Sequence, residues 1–582
     1  MRKTLIALAM MLAPTSAHAD AGTDLTKLVE EYWAAVLKES PVMASSLGDD
    51  SQRGEVGDYS LAGQDRFAKV SAEYLARLNA IPESELNATA KIEYGILKRT
   101  LASTIKANSF GQRAINFSTY SGWHQNFAGM ADGSPFRNKA DFESYNARLK
   151  QYAQINDQAI AVANTAIKGK YTLPCEVLGG YEKGIVGLIK TDERESRYFG
   201  PYAGKRPEAV SEEDWNGLAS QAIATINAII NPALQKHLDW YAKNYKPACA
   251  KQPGVSAQPG GADYYNFRIA QETTTNLNAE QIHTLGLSEV ARIRAEMVTV
   301  AETAGYENLD SFVQHLRTDP QYYAKTPEEL MEKVARVTKI IDGKMPSLFN
   351  RLPRLPYGIK EIPAEIAEGT TTAYYQPGSP AIGISGTYYV NTSKLDQRPL
   401  WEVPALSMHE AVPGHHNQIA LQQELALSDF RKNGVFFTAF VEGWGLYSER
   451  LGIEMGLYDT PAKDMGRLSY EMWRAMRLVV DTGIHAKGWS KAKAIQYMTD
   501  NSAMSPANIE AEVNRYISWP GQALAYKLGE LKIRELRELA TKELGAKFSL
   551  AAFHDVVLGQ GAVPLDVLDQ MVKDWIAAEQ RK

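Results

Sequence analysis

The segment His409-Glu410-Ala411-Val412-Pro413-Gly414-His415-His416 gathers three of the chain's ten histidines, with a carboxylate beside the first. Imidazole nitrogens and carboxylate oxygens are the usual ligands of zinc, and three of them leave a fourth position for water. A helical His-Glu-x-x-His sets two imidazoles one turn apart, with the glutamate placed as general base. Here the position four after His409 is Pro413, which cannot bind a metal. Proline lacks the amide hydrogen and clashes with the preceding turn, and the glycine after it is permissive. The sequence therefore predicts a break at Pro413-Gly414 that brings His415 into place as the second ligand. His416 is the alternative, but on an unbroken helix it would lie about 10.5 Å along the axis from His409. Glu410 is the expected general base for a water activated by one zinc ion.

A third ligand is needed. Phe440-Val441-Glu442-Gly443-Trp444-Gly445-Leu446-Tyr447-Ser448-Glu449 follows an Asn433-Gly434 break. Glu442 stands 27 residues after His415, room for a turn and a returning helix. Its neighbours Val441 and Trp444 are apolar, and a buried acid is costly unless it is paired or bound to a cation. Glu449, two turns later on the same face, is the alternative ligand, or else the group that orients a histidine from behind. Taken alone, a His-Glu pair would read as a surface feature. Glu410, Pro413, Gly414 and the two histidines together point to one bound zinc.

The elements that must position these residues are mostly helices. Leu28, Tyr32, Val36 and Leu37 fall at helical spacing, as do Leu285, Val290, Ile293 and Met297. Thr370–Tyr375 and Gly386–Asn391 differ, being rich in β-branched and aromatic residues, and predict a pair of strands just before the histidines. Lys246–Ala262 is rich in Pro, Gly and Gln and reads as a loop or lobe boundary. The expected organisation is an N-terminal helical lobe over 20–255 and a C-terminal helical lobe over 256–582 carrying the metal site, the two lobes forming one continuous fold. The expected fold class is mainly α, a large two-lobed helical fold with a small β-hairpin or sheet beside the histidine-bearing helix.

Composition narrows the function classes. With 45% hydrophobic and 23% charged residues, the chain can bury a sizeable core. A net charge of -5 without a basic run disfavours nucleic acid as a partner. Arg2-Lys3, the apolar stretch Thr4–Ala13 and Ala17-His18-Ala19 match a signal peptide over residues 1–19, cleaved after Ala19. No later apolar run reaches the ~20 residues needed to span a bilayer. A periplasmic or secreted protein is expected. Cys175 and Cys249 are the only cysteines, and in an exported chain they form either one bridge or two buried thiols.

At HEAVPGHH and VEGWGLYSE the chain resembles domain-of-unknown-function family 885, a group of bacterial zinc metallopeptidases of gluzincin type. The resemblance extends to Ala373-Tyr374-Tyr375 through Tyr389-Val390-Asn391, to Asp481–His485, to Arg515–Ala523 and to Ala262–Tyr265. It implies a zinc-peptidase-like helical fold with zinc held by two histidines and one glutamate: His409, His415 and Glu442, with Glu410 as base. It further implies an oxyanion donor from a C-terminal helix. Tyr516 is the first candidate, with Arg515 and His485 after it. Tyr388, Tyr389 and Asn391 are expected on an edge strand with which an extended peptide substrate could pair. By fold analogy the substrates are oligopeptides. Two other classes remain at this point: a zinc amidase acting on cell-wall peptides, and a non-catalytic metal-binding envelope protein. The sequence leaves the oligomeric state open.

Overall fold

The computed structural model describes residues 20–119, 122–368 and 370–582. The expected leader lies outside the described residues. The architecture is mainly α with one small sheet.

Four helices form the frame around the histidines. The longest, Pro461–Lys487, starts under a Thr460 cap with proline in its first turn and stops at Gly488, where φ is +67°. It is buried along nearly its whole length. Ala279–Thr303, opened by a reciprocal Asn278/Gln281 capping box, packs along it. Gly286 permits this approach, since a Cβ there would lie 2.7 Å from Leu478 Cβ. Thr438–Arg450 packs on Ala525–Leu544 in the same fashion. They touch main chain to main chain at Gly443 and Gly529, and a Cβ on Gly529 would lie 1.8 Å from the carbonyl oxygen of Ala439.

Two large hydrophobic cores surround this frame. One joins Ala21–Glu39 and Ala88–Asn108 to Thr438–Arg450 and the C-terminal helix Leu565–Arg581. The other joins Tyr152–Gly169 and Asn231–Trp240 to Ala279–Thr303 and Pro461–Lys487. Each draws on residues from both sides of position 255, so neither core belongs to a single lobe. Lys246–Ala262 holds two short 3-10 turns, Lys246–Ala248 and Val255–Ala257, runs into the helix Gly261–Thr273, and is pinned in its middle. Cys249 is disulfide-bonded to Cys175, and a short parallel bridge joins Pro174 and Ala250. Farther on, Gly254 lies against the Ile484 carbonyl, and the Val255 amide donates to His485 Nδ1 (3.0 Å).

The sheet has three strands in the order β1 (Tyr357–Glu361), β3 (Gly386–Val390), β2 (Ala373–Gln376). β1 runs parallel to β3 with Tyr357 opposite Gly386, and β2 runs antiparallel with Ala373 opposite Val390. The expected strand pair is present, but its second member is not an edge. β1, which the sequence reading missed, covers that side, so β3 is central and both its backbone edges are taken.

Candidate metal centre

His409 and Glu410 close the helix Val403–Glu410, all of whose residues are buried. The helix ends there. The Ala411 amide still donates to Ser407, the chain then turns through a cis Val412–Pro413 bond, and a new helix opens at His415. Gly414 is required by the close approach of main chain, because a Cβ would sit 1.9 Å from the His409 carbonyl oxygen. Trp444 clamps the turn from the neighbouring helix, its indole N–H donating to the Pro413 carbonyl (2.8 Å).

The break brings the His409 and His415 rings together, edge to face, with centroids 4.6 Å apart. Glu442 comes in from Thr438–Arg450. Its Oε2 lies 3.5 Å from His409 Nε2 and 3.4 Å from His415 Nε2. That oxygen is buried and accepts no hydrogen bond. The three donor atoms lie within 4.8 Å of one another, the one such group among the described residues. Tetrahedral zinc with bonds of ~2.0–2.1 Å has ligand–ligand edges of about 3.4 Å, and the two nitrogen–oxygen edges, 3.5 and 3.4 Å, match that length.

A second layer fixes the first. His409 Nδ1–H donates to Glu449 Oε1 (2.8 Å), which leaves Nε2 to face Glu442. Arg474 Nη2 holds the same Glu449 oxygen at 3.2 Å. Gly445 lies on this face too, since a Cβ there would meet the His409 ring at 2.8 Å. Glu442, Gly445 and Glu449 thus form one stripe of a helix, a carboxylate at each end and a ring seated between. Burial opposes charge on His409, but the facing carboxylates of Glu442 and Glu449 outweigh it and raise its pKa to about 9. Burial also works against ionisation of Glu442, yet the facing His415 and His409 hold its carboxyl well below the usual range. The cluster is built to be balanced by positive charge.

His416 faces away. Its Nε2–H donates to the Leu355 carbonyl (2.9 Å), and its Nδ1 accepts from the Tyr375 hydroxyl (2.9 Å). Burial pushes its pKa down to about 4, so it is a neutral structural residue. Of the adjacent histidines, only His415 joins the group. Glu449 stands behind His409 rather than beside Glu442.

A cavity of about 690 Å³ opens onto His409, Glu410, His415 and Glu442. Thr371–Tyr375 of the β2 region lines one part of it, and Trp473, Arg474, Arg477, Arg515 and Tyr526 another. Several expected site residues lie elsewhere. Tyr516 is buried, and its hydroxyl accepts from Trp473 Nε1 and Arg477 Nε, both at 3.0 Å, so it supports the wall and does not reach the cavity. His485 is consumed by backbone, accepting from Val255 and donating to the Tyr516 carbonyl (2.9 Å). Tyr388 is fully buried in the central strand. Tyr389 stacks on Tyr374 (4.9 Å), and it is Tyr374 that borders the cavity. Asn391 donates to the Ala367, Thr370 and Thr371 carbonyls and so organises the turn before β2. None of these five is placed to hold a substrate or an oxyanion in the expected way, Tyr516 because its hydroxyl is taken up by Trp473 and Arg477, Tyr388 and Asn391 because they are buried, Tyr389 because its partner intervenes, and His485 because both nitrogens are used. Arg515 does line the cavity, donating to the Tyr526 hydroxyl (2.9 Å) and to Gln522 (3.0 Å).

Tyr526, Arg474 and Arg477 were not singled out from sequence. Tyr526 lies nearly parallel to His409, ring centroids 6.3 Å apart. The arginines had a signal of the kind that exposed Glu442: charges at 474 and 477 within the otherwise apolar run Met472–Val480.

Fold and site together define a helical protein built around a buried two-histidine, one-glutamate group at the floor of a cavity. The chain belongs to the family described as "Bacterial protein of unknown function (DUF885)", whose model matches residues 41–572. Among solved structures it is similar to "the putative lipoprotein from Colwellia psychrerythraea", with a TM-score of 0.90 and 28% identity over 96% of this chain and 100% of that one. It also shares its fold with "a putative lipoprotein of unknown function from Shewanella oneidensis", with a TM-score of 0.71 and 18% identity over 94% and 99%. None of the curated proteins matches the chain.

Proposed function

We propose that this protein is a zinc-dependent peptidase that hydrolyses short peptides outside the cytoplasm. The observation that carries the reading is the placement of His409 Nε2 and His415 Nε2 each about one tetrahedral edge from the unsatisfied Glu442 Oε2. His409, His415 and Glu442 would hold the ion. Bound zinc supplies Lewis acidity and makes water a nucleophile near neutral pH. Glu410, next to His409 on the cavity wall, takes the proton of the attacking water and passes it to the leaving amine. Tyr526 is the hydroxyl best placed to donate to the developing oxyanion, because Arg515 and Gln522 both donate to its oxygen and orient it. Glu449 fixes the His409 tautomer. The β2 segment, which has β3 on one side only, offers main-chain partners to an extended substrate.

The cavity suits a few residues of peptide and excludes a folded protein. Location outside the cytoplasm is supported by the leader-like N-terminus, the Cys175–Cys249 disulfide and the lipoprotein descriptions of the similar structures. Among the described residues no helix is long and apolar enough to cross a membrane.

Metal content by mass spectrometry on wild type, His409→Ala and Glu410→Gln tests the reading. About one zinc per chain is expected in wild type and Glu410→Gln, and none in His409→Ala. A peptide-library digest should then show turnover by wild type and a drop of about 10²–10⁴-fold in Glu410→Gln. A wild type that takes up no added zinc sinks the proposal.

A further inference from the structure

We propose that Phe436 is a specificity-determining residue, whose exposed ring seats an apolar side chain of the peptide within about four residues of the scissile bond. The inference rests on the peptidase reading above and adds the class of substrate, peptides with an apolar residue near the bond that is cut.

Phe436 is the most exposed large hydrophobic side chain among the described residues, at 60%. A lone exposed phenylalanine is ordinary on a protein surface. This one borders two cavities at once. On one side lies the cavity of the metal group, with His409, His415 and Glu442. On the other lies a second cavity of about 660 Å³, lined by the helices Ala88–Asn108 and Gly261–Thr273. Phe67, Phe267 and Ala270 line that second cavity beside Phe436. Its two arginines are already met by carboxylates, Arg99 by Asp566 (2.7 Å) and Arg113 by Asp65 (2.6 Å), and Lys106 lies over the Phe110 ring. What it offers a ligand is mainly apolar surface, continuous through Phe436 with the cavity of the metal group. An apolar side chain laid on the ring takes both surfaces out of water, and a polar one gains nothing there.

The exposure is imposed by the backbone. Val435 and Phe437, on either side, are extended (φ -109° and -94°), and both side chains are buried in the core that also holds Phe430 and Phe440. Successive side chains of an extended chain point to opposite sides, so Phe436 is turned outward. Gly434, just before, lies against Trp33, where a Cβ would come within 2.5 Å of the ring. Phe436 cannot swing inward without pulling one of these neighbours out. The spacing belongs to the same residue. Phe436 stands two residues before the helix Thr438–Arg450, and Glu442 lies one turn into that helix. At ~1.5 Å per helical residue and at most ~3.5 Å per extended one, their Cα atoms are no more than about 13 Å apart. An extended peptide with its carbonyl at the metal group covers that distance in about four residues.

Calorimetry on the full-length Glu410→Gln protein reads this without turnover. The probes are hexapeptides of alanine and serine in which one Phe is moved from position to position, against a parent with Ser in its place. The best Phe peptide should bind about 10- to 100-fold more tightly than the parent, the range for burying one phenyl group. Adding Phe436→Ala should remove that preference, and Phe436→Leu should keep most of it. Phe436 is exposed, so both variants should unfold in urea at the wild-type midpoint. With the Glu410 protein, the bond cut in each peptide should follow the Phe at a fixed offset of up to about four residues. Equal binding of all the peptides, or cleavage that ignores the position of the Phe, overturns the inference while leaving the peptidase reading intact. A preference that survives Phe436→Ala belongs to another wall, Trp519 being the other exposed aromatic on this cavity, and overturns it as well. A preference lost in Phe436→Ala by a protein that hydrolyses nothing supports the apolar site and counts against the peptidase.

Discussion

Two clusters of buried charge meet at neighbouring residues of Ala525–Leu544. Tyr526 turns to His409, and Lys527 turns the other cluster's way, to Glu471 (2.9 Å), Glu530 (2.8 Å) and Glu289 (3.1 Å). Around Lys527 the charges close on themselves. Glu289 and Glu471 each also take Arg292, and Glu530 takes Arg534 (3.2 Å). Burial opposes ionisation of Glu471, but Lys527 and Arg292 hold its carboxyl far below the usual range. Around His409 the charges do not close. Glu442 keeps an oxygen with no hydrogen bond and only imidazoles facing it. Both clusters are buried and both are made of ordinary acids and bases. The closed one ties three helices together, and the open one is the candidate for a cation from outside. Completeness of pairing, not burial or charge content, separates cement from site.

The largest effect expected from this contrast is at Lys527. Lys527→Met leaves three buried carboxylates short of a cation and should cost about 3–5 kcal/mol in urea unfolding, while zinc content stays at wild-type level. A loss under about 1 kcal/mol would mean that the network is not the cement described. Next comes Glu449→Gln, which keeps the shape but removes the charge behind His409. Zinc affinity measured by chelator competition should fall about 10–100-fold. An unchanged affinity would reduce Glu449 to an ordinary partner of Arg474. The smallest is Gly445→Ala. The added methyl meets the His409 ring at 2.8 Å, and unfolding should show a cost of about 1–3 kcal/mol with weakened zinc binding. Gly95→Ala is the control, because nothing lies within 4 Å of that Cβ in the helix Ala88–Asn108, and it should stabilise by about 0.5–1 kcal/mol.

How much of this was legible in the sequence follows from range. The break at Pro413-Gly414 is a local steric matter, and the residue types alone announce it. Glu442 was legible because an acid among apolar neighbours is locally anomalous. The mainly α class and the strands near 373 and 388 follow from short-range periodicity. What failed depended on distant partners. No pattern within Gly386–Val390 tells that Tyr357–Glu361 will lie beside it in parallel, so a central strand read as an edge and Tyr388 as a substrate contact. Tyr516 and Tyr526 are ten residues apart in one C-terminal region, and only the packing of Trp473 and Arg477 decides which hydroxyl is buried and which borders the cavity.

The contact between Gly443 and Gly529 bears on how the site tolerates change. Where Gly443 meets Gly529 the two helices touch main chain to main chain, and no rotamer there can relax. Glu442, next to the seam, is therefore located by the backbone itself, like a gauge block set on a reference plane. Side chains around it can be exchanged, and the cores can drift, while the carboxylate keeps its station opposite the two imidazoles. Such a protein can lose most of its sequence identity before it loses its site, provided those two positions never acquire a side chain.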